Sequence, residues 1–412
     1  MKNLYFLVPF VLLTMLLCRG CPKNNRTIQD NKQGRTEITP LPVPVKTVKP
    51  TINVYIENSG SMDGYVNEKT EFKTTLYNYL SDIDLKHMAD SSNLFYINSK
   101  VIKVNLPLED FILNLTPKSF RDYGGDRGFS DISNVLGTIL EKTDENQISI
   151  LVTDGIFSPG QGKDAEQYLN NQQTSIKRRF AQYLEKNKNA AVIVYQLSSN
   201  FNGIYYNKVD AKITINEQRP YYIWVIGEAK QVSELRKQVP DSKFIGNGVQ
   251  NIFTAVAGNH IVKYAVKPSS GKFNNSRTDA KTIENLKKDS RTGKAKFSVN
   301  ANFSDLLLDD NYLLDTNNYE NGSKYSLDIK PIATKSRDYS HTLTFSSERV
   351  YQGTVSVKLK SQLPAWIDEV NDVEGTTAVE RKTYGIKYQI VGVFNAFTFN
   401  NNYYTEIKIS IK

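Results

Sequence analysis

TINVYIENSGSMDG, residues 51–64, begins as an apolar, β-branched run and breaks into a short polar loop with one glycine between two serines. Residues 52–56 read as a buried strand, because a short apolar run bounded by turn signals suits a strand covered on both faces. Just past it stand Glu57, Ser59 and Ser61, at alternate positions. Alternate side chains of an extended segment point the same way. One carboxylate and two hydroxyls therefore converge beyond the carboxyl end of a strand, where open α/β sheets bind ligands. Two further stretches belong with this one. GGDRGFSDI, residues 124–132, is a glycine-rich loop leading into a helix, and QISILVTDG, residues 147–155, is a second apolar strand that runs out at Asp154.

Outward from these stretches, strands alternate with helical stripes. Residues 71–84 carry Phe72, Leu76, Tyr79, Leu80 and Ile83 at helical spacing, and 130–142 and 175–186 repeat the pattern. Strands are expected at 93–97, 101–106, 148–153, 191–197 and 221–226, with Arg219-Pro220 marking the start of the last, and a helix near 231–238. The alternation predicts an α/β fold, a doubly wound and mostly parallel sheet with helices on both faces, over residues 51–258. Beyond that the helical stripes nearly vanish. Short strands recur at 261–266, 296–301, 325–329, 343–345, 354–359, 386–393 and 405–411, separated by Asn, Gly, Asp and Ser. Residues 259–412 are therefore expected to form an all-β, sandwich-like module. The single tryptophan of that module, Trp366, reads as a core anchor, with a sugar-binding surface as the alternative.

The three polar stretches together resemble a von Willebrand factor type A domain with a metal-ion-dependent adhesion site. That family's pattern is Asp-x-Ser-x-Ser after the first strand, a Thr on a Gly-rich loop and an Asp ending the fourth strand. The matching positions here are Glu57, Ser59, Ser61, Ser130 and Asp154. Glu57 replaces the aspartate, one methylene longer, and Ser130 replaces the threonine while keeping its hydroxyl. The resemblance implies a divalent cation on those five residues. Hard oxygen donors suit Mg²⁺ or Mn²⁺, and two carboxylates at most supply too little charge for tight Ca²⁺ capture. It also implies a protein partner that offers the ion an acidic side chain. Asp63 is a possible extra ligand, Asp131 reads as a helix N-terminal residue, and Asp126 and Arg127 read as exposed loop, with shaping the rim of the site as the alternative.

At the amino terminus, Lys2 precedes an apolar run from Leu4 to Leu17, which is short for a membrane span and right for a signal peptide. Cys18-Arg19-Gly20-Cys21 follows and resembles a bacterial lipoprotein signal, with residues 1–20 removed and Cys21 lipidated behind the small Gly20. Residues 21–50 become proline-rich and read as a semi-rigid tether. The expectation is a protein anchored through lipid to a membrane of the bacterial cell envelope.

Composition narrows the function. Of 412 residues, 39% are hydrophobic, too many for a disordered chain. Both cysteines lie in the first 21 residues, so the mature chain has no disulfide framework. The three histidines are far apart in sequence and share no metal-ligand spacing, which argues against a zinc enzyme. The net charge of +9 is spread rather than clustered, so no nucleic-acid partner is expected. A binding protein rather than an enzyme is the expectation. The alternatives are a metal-dependent hydrolase, which a mononuclear site without a nearby base disfavours, and a scaffold with a vestigial metal site.

Overall fold

In the computed structural model, residues 49–128, 131–157, 159–257, 262–333 and 338–412 are described. Ser130, Cys21, the signal segment and the tether lie outside these residues. The first strand is β1 (Thr51–Glu57), followed by the short helix α1 (Asp63–Val66) and by α2 (Glu71–Leu85). Next come β2 (Ser91–Ile97), β3 (Val101–Val104), α3 (Leu108–Leu113), α4 (Pro117–Asp122), α5 (Ile132–Glu141), β4 (Gln147–Thr153) and α6 (Ala165–Lys186). A long hairpin, β5 (Ala190–Tyr206) and β6 (Lys212–Glu228), is followed by α7 (Ala229–Gln238) and β7 (Asn251–Val256).

These strands form one seven-stranded sheet in the order β3-β2-β1-β4-β6-β5-β7. Its centre, β2-β1-β4, is parallel. Strand β5 runs in the same direction as these three, but β6 lies antiparallel between β4 and β5. The expected doubly wound pattern therefore holds for the half that carries the site, and the other half is built around the hairpin. Strand β6 begins at Lys212, well before Arg219-Pro220. Proline fits inside it because β4 ends at Thr153, opposite Tyr222, so Pro220 lies beyond the β4 ladder and costs it no hydrogen bond. Alternation along the strands divides two cores. Ile52, Val54 and Ile56 pack with Ile148, Ile150 and Val152 on one face, while Tyr55 and Leu151 face the other.

The rest of the chain supplies β8 (Tyr264–Val266), β9 (Lys272–Asn275), β10 (Thr282–Lys287), β11 (Ala295–Ala301), α8 (Asp310–Leu314), β12 (Tyr319–Asn321), β13 (Ser326–Pro331), β14 (His341–Ser347) and β15 (Gly353–Lys360). After these come α9 (Trp366–Glu369), β16 (Asn371–Asp372), β17 (Thr383–Tyr384), α10 (Ile386–Phe397) and β18 (Tyr403–Ile411). Two further sheets, β12-β15-β18-β10-β9 and β13-β14-β11-β8, form in this half of the chain; all their pairings are antiparallel except β10 with β18.

Residues 386–393, expected as a strand, are helix α10, and the correction has a plain cause. Ile386, Ile390, Val393 and Phe397 recur at spacings of four, three and four, which is a helical stripe. The segment is apolar on more than that stripe because it is held between α6 and the sheet, so its period is hard to see. Gly392 permits the approach, since a Cβ there would lie 2.8 Å from the Gln173 carbonyl oxygen and 2.9 Å from Ile176 Cγ2. Thus the chain leaves these two sheets after β15, covers the second core of the α/β sheet with α10, and returns as β18. Among the described residues, no helix is long and apolar enough to cross a membrane.

Candidate functional site

Parallel pairing aligns the carboxyl ends of β1 and β4, with Ile56 opposite Val152. That register brings Glu57 and Asp154 to neighbouring strand ends. Both are buried, at 3% and 2% exposure. The Thr153 hydroxyl donates to Glu57 Oε2 and accepts the Gly155 amide at 2.9 Å. Asp154 Oδ1 accepts the Ile156 amide at 3.1 Å, while its Oδ2 is buried with no hydrogen-bond partner. Burial, and next the charge of Glu57, push the Asp154 carboxyl up to about 7, against the pull of the Ser61 hydroxyl, the Ile156 amide and the Arg219 guanidinium.

Ser59 and Ser61 lie on the loop between β1 and α1. Ser59 is extended, at φ −63° and ψ 168°, and starts a 3-10 turn over Gly60–Met62. The two hydroxyl oxygens are 3.0 Å apart. Ser59 is buried, and Gly60 and Ser61 form a half-buried rim. A Cβ on Gly60 would lie 3.0 Å from Tyr206 Oη, so the hairpin tip closes over one side of the loop.

The loop is clamped by Arg127, which the sequence reading named, and by Asn98, which it did not single out. Arg127 Nε donates to Asn58 O at 2.7 Å, its Nη2 donates to Ser59 O at 3.1 Å, and its own carbonyl accepts the Gly60 amide at 2.9 Å. Arg127 also pairs with Asp63, so Asp63 braces the arginine and is not placed as a ligand. Expected on exposed loop, Arg127 is instead only 16% exposed, because three loop acceptors surround its guanidinium. Asn98, at the end of β2, donates from Nδ2 to Asn58 Oδ1 at 3.0 Å and to Gly124 O at 2.9 Å. Gly125 has φ +85°, and a Cβ there would strike the Asn98 amide. Asp131 caps α5 as expected, accepting the Ser133 and Asn134 amides at 2.9 and 3.1 Å.

A segment from the far end of the chain encloses the carboxyl edge of the sheet. Tyr222 Oη donates to Thr383 Oγ1 at 3.0 Å, Gln389 Nε2 donates to Gly155 O at 2.5 Å, and Arg219 Nη1 donates to Val379 O at 2.7 Å. Arg219 is 2% exposed, with its guanidinium carbon 5.0 Å from the centre of the Tyr205 ring.

The structure therefore brings together four of the five expected donors, Glu57, Ser59, Ser61 and Asp154. The fifth, Ser130, is outside the described residues. Among the described residues, no group of three or more His, Cys, Asp or Glu could hold a metal ion. The donor set here has two carboxylates and otherwise hydroxyls. It fits a hard, weakly held cation: an unpartnered carboxylate oxygen, a second carboxylate and paired hydroxyls meet at one strand-end loop. Comparisons with protein-family models, with curated proteins and with solved structures give no match.

Proposed function

We propose that this chain is a lipid-anchored protein of the cell envelope whose α/β unit, of the von Willebrand factor type A kind, recruits a protein partner through a divalent cation. The observation that carries the reading is Asp154. A buried carboxylate beside a second one, with one oxygen lacking any partner, is costly unless positive charge compensates it. Glu57, Ser59, Ser61, Asp154 and Ser130 would hold the ion, with Mg²⁺ or Mn²⁺ favoured over Ca²⁺ by the small number of carboxylates. When bound, the ion supplies residual positive charge to which an acidic side chain of the partner can bind. The chain's own part is to fix the loop, through Arg127 and Asn98, and to keep bulk water from the two carboxylates.

Binding is favoured over hydrolysis because no histidine among the described residues sits at the loop. His87 follows α2, and His341 starts β14, 3.4 Å from Asp310. A second reading, a scaffold with a vestigial site, rests on Thr153, whose hydroxyl already serves Glu57. Calorimetry with Mn²⁺, together with capture of envelope proteins in Mg²⁺ or in chelator, separates the two. Metal binding lost in Asp154→Asn, with capture lost in chelator, supports the first reading. No binding heat at millimolar metal leaves the scaffold.

A further inference from the structure

Beside the edge strand β7, between the loop after α7 and segments 307–318 and 362–366, runs a groove of about 870 Å³. That size is within the range of small-ligand pockets. Phe244 and Tyr404, both buried, line it, together with the half-buried rings of Tyr312 and Trp366. The polar ends of three of these rings are turned into the protein. Trp366 Nε1 donates to Ile252 O at 3.2 Å, Tyr312 Oη to Lys360 O at 2.8 Å, and Tyr404 Oη to Thr254 O at 3.3 Å. Each ring is thereby fixed in orientation, and what it offers the groove is carbon.

The polar lining is of a different kind. Asn311, Gln362 and Gln250 are exposed amides. Asp241 and Asp309, one before β7 and one before α8, are both held by Arg236 Nη2, at 2.6 and 3.1 Å. Among the described residues no lysine or arginine lines the groove, although the chain has 52 of them and a charge of +9. The lining thus offers no cation to an anionic ligand, and Arg236 already engages the carboxylates that would attract a cationic one. Immobilised aromatic rings flanked by amides complement a pyranose ring, whose C–H face is apolar and whose hydroxyls each donate and accept, as amides do.

We propose that this groove is a binding site for a neutral oligosaccharide, with Trp366 and Tyr312 packing against sugar rings and Asn311, Gln362, Gln250 and Asp309 bonding the hydroxyls. Trp224, the other tryptophan, is fully buried, so a ligand-induced change in intrinsic fluorescence reports Trp366. Cellohexaose, chitohexaose and maltohexaose, titrated into the full chain, are the probes. At least one should give a saturable fluorescence change with a Kd below about 1 mM. By calorimetry, Trp366→Ala and the exposed Asn311→Ala should each weaken that binding at least ~10-fold, with Trp366→Phe retaining part of it. Chelator and Asp154→Asn should leave it unchanged, which keeps the result independent of the cation site. Silence from all three probes at about 10 mM, undiminished binding in both alanine variants, or preference for acidic oligogalacturonate over the neutral oligomers overturns the proposal.

Discussion

Thr153 connects the two acidic strand ends: its hydroxyl donates to Glu57 and accepts the amide of Gly155, the residue that follows Asp154. Glu57 reaches that hydroxyl from the neighbouring strand. Glu57→Asp shortens the reach by a methylene, loosens the Thr153 bond and leaves the carboxylate freer to face the serine loop. The expected outcome is a loss of about 1 kcal/mol in metal-free stability together with a larger Mn²⁺-induced rise in melting temperature. Thermal unfolding with and without Mn²⁺ checks both. A smaller metal response than wild type would show that the longer side chain is the better ligand.

Asp154 makes stability depend on pH in a definite direction. Its carboxyl is raised from 3.8 to about 7 in the fold. Between those values the folded protein keeps a proton that the unfolded chain has lost. Stability from this group is full below about pH 4, falls as pH rises, and levels off above about pH 7. In chelator, Asp154→Asn should gain on wild type by about 3–4 kcal/mol between pH 4 and pH 8. Urea unfolding at the two pH values measures it, and a difference independent of pH contradicts the assignment. Since a cation and a proton compete for the same carboxylate, the Mn²⁺ response of wild type should be stronger at pH 8 than at pH 6.

Arg127 holds the loop by geometry as well as charge. Its planar fork meets Asn58 O, Ser59 O and Asp63 together. Lysine keeps the charge but lacks the fork. Arg127→Lys should therefore cost about 1–2 kcal/mol and reduce the Mn²⁺ response. Arg127→Lys with wild-type stability and metal response would show that the charge alone suffices.

Gly392 tests the seat of α10. A side chain there meets the Gln173 carbonyl and Ile176 on α6. Gly392→Val should cost about 1–3 kcal/mol by overpacking, whereas substitution of the exposed Arg178 by Ala should stay near neutral. Equal stability of the two variants by urea unfolding would mean that α10 does not depend on this close approach.

What the sequence made legible follows from periodicity and chemistry that are local. The apolar runs of β1 and β4, the stripes of α2 and α5, and the Asp131 cap each sit within a few turns of chain, and each is where the pattern puts it, whereas α6 already begins at Ala165, well before its expected start at 175. The Glu57–Ser59 spacing was readable because strand alternation needs no partner, whereas Ser61 lies in the 3-10 turn Gly60–Met62, where that alternation no longer applies. Arg127 and Asn98 were not readable as a clamp, because their roles depend on a loop that meets them only after β2 pairs with β1. Residues 198–206, rich in Ser and Asn, carry no apolar run, yet they extend β5 because β6 pairs along the whole length. Trp366 reads as core from its rarity. It is half-buried at a groove because α9 crosses the end of β7 instead of entering the later sheets.

The return of α10 to the α/β sheet has a consequence in time. Ile386, Ile390, Val393 and Phe397 cover the same core as Tyr55 and Trp224, both far earlier in the chain. A ribosome releasing this protein exposes that apolar face until residues 386–397 have emerged. The sheet cannot finish early and wait for the later sheets. Completion depends on contacts of very long sequence separation, which form slowly and leave intermediates prone to association. The α/β core therefore stays open, with one apolar face uncovered, until α10 has been made.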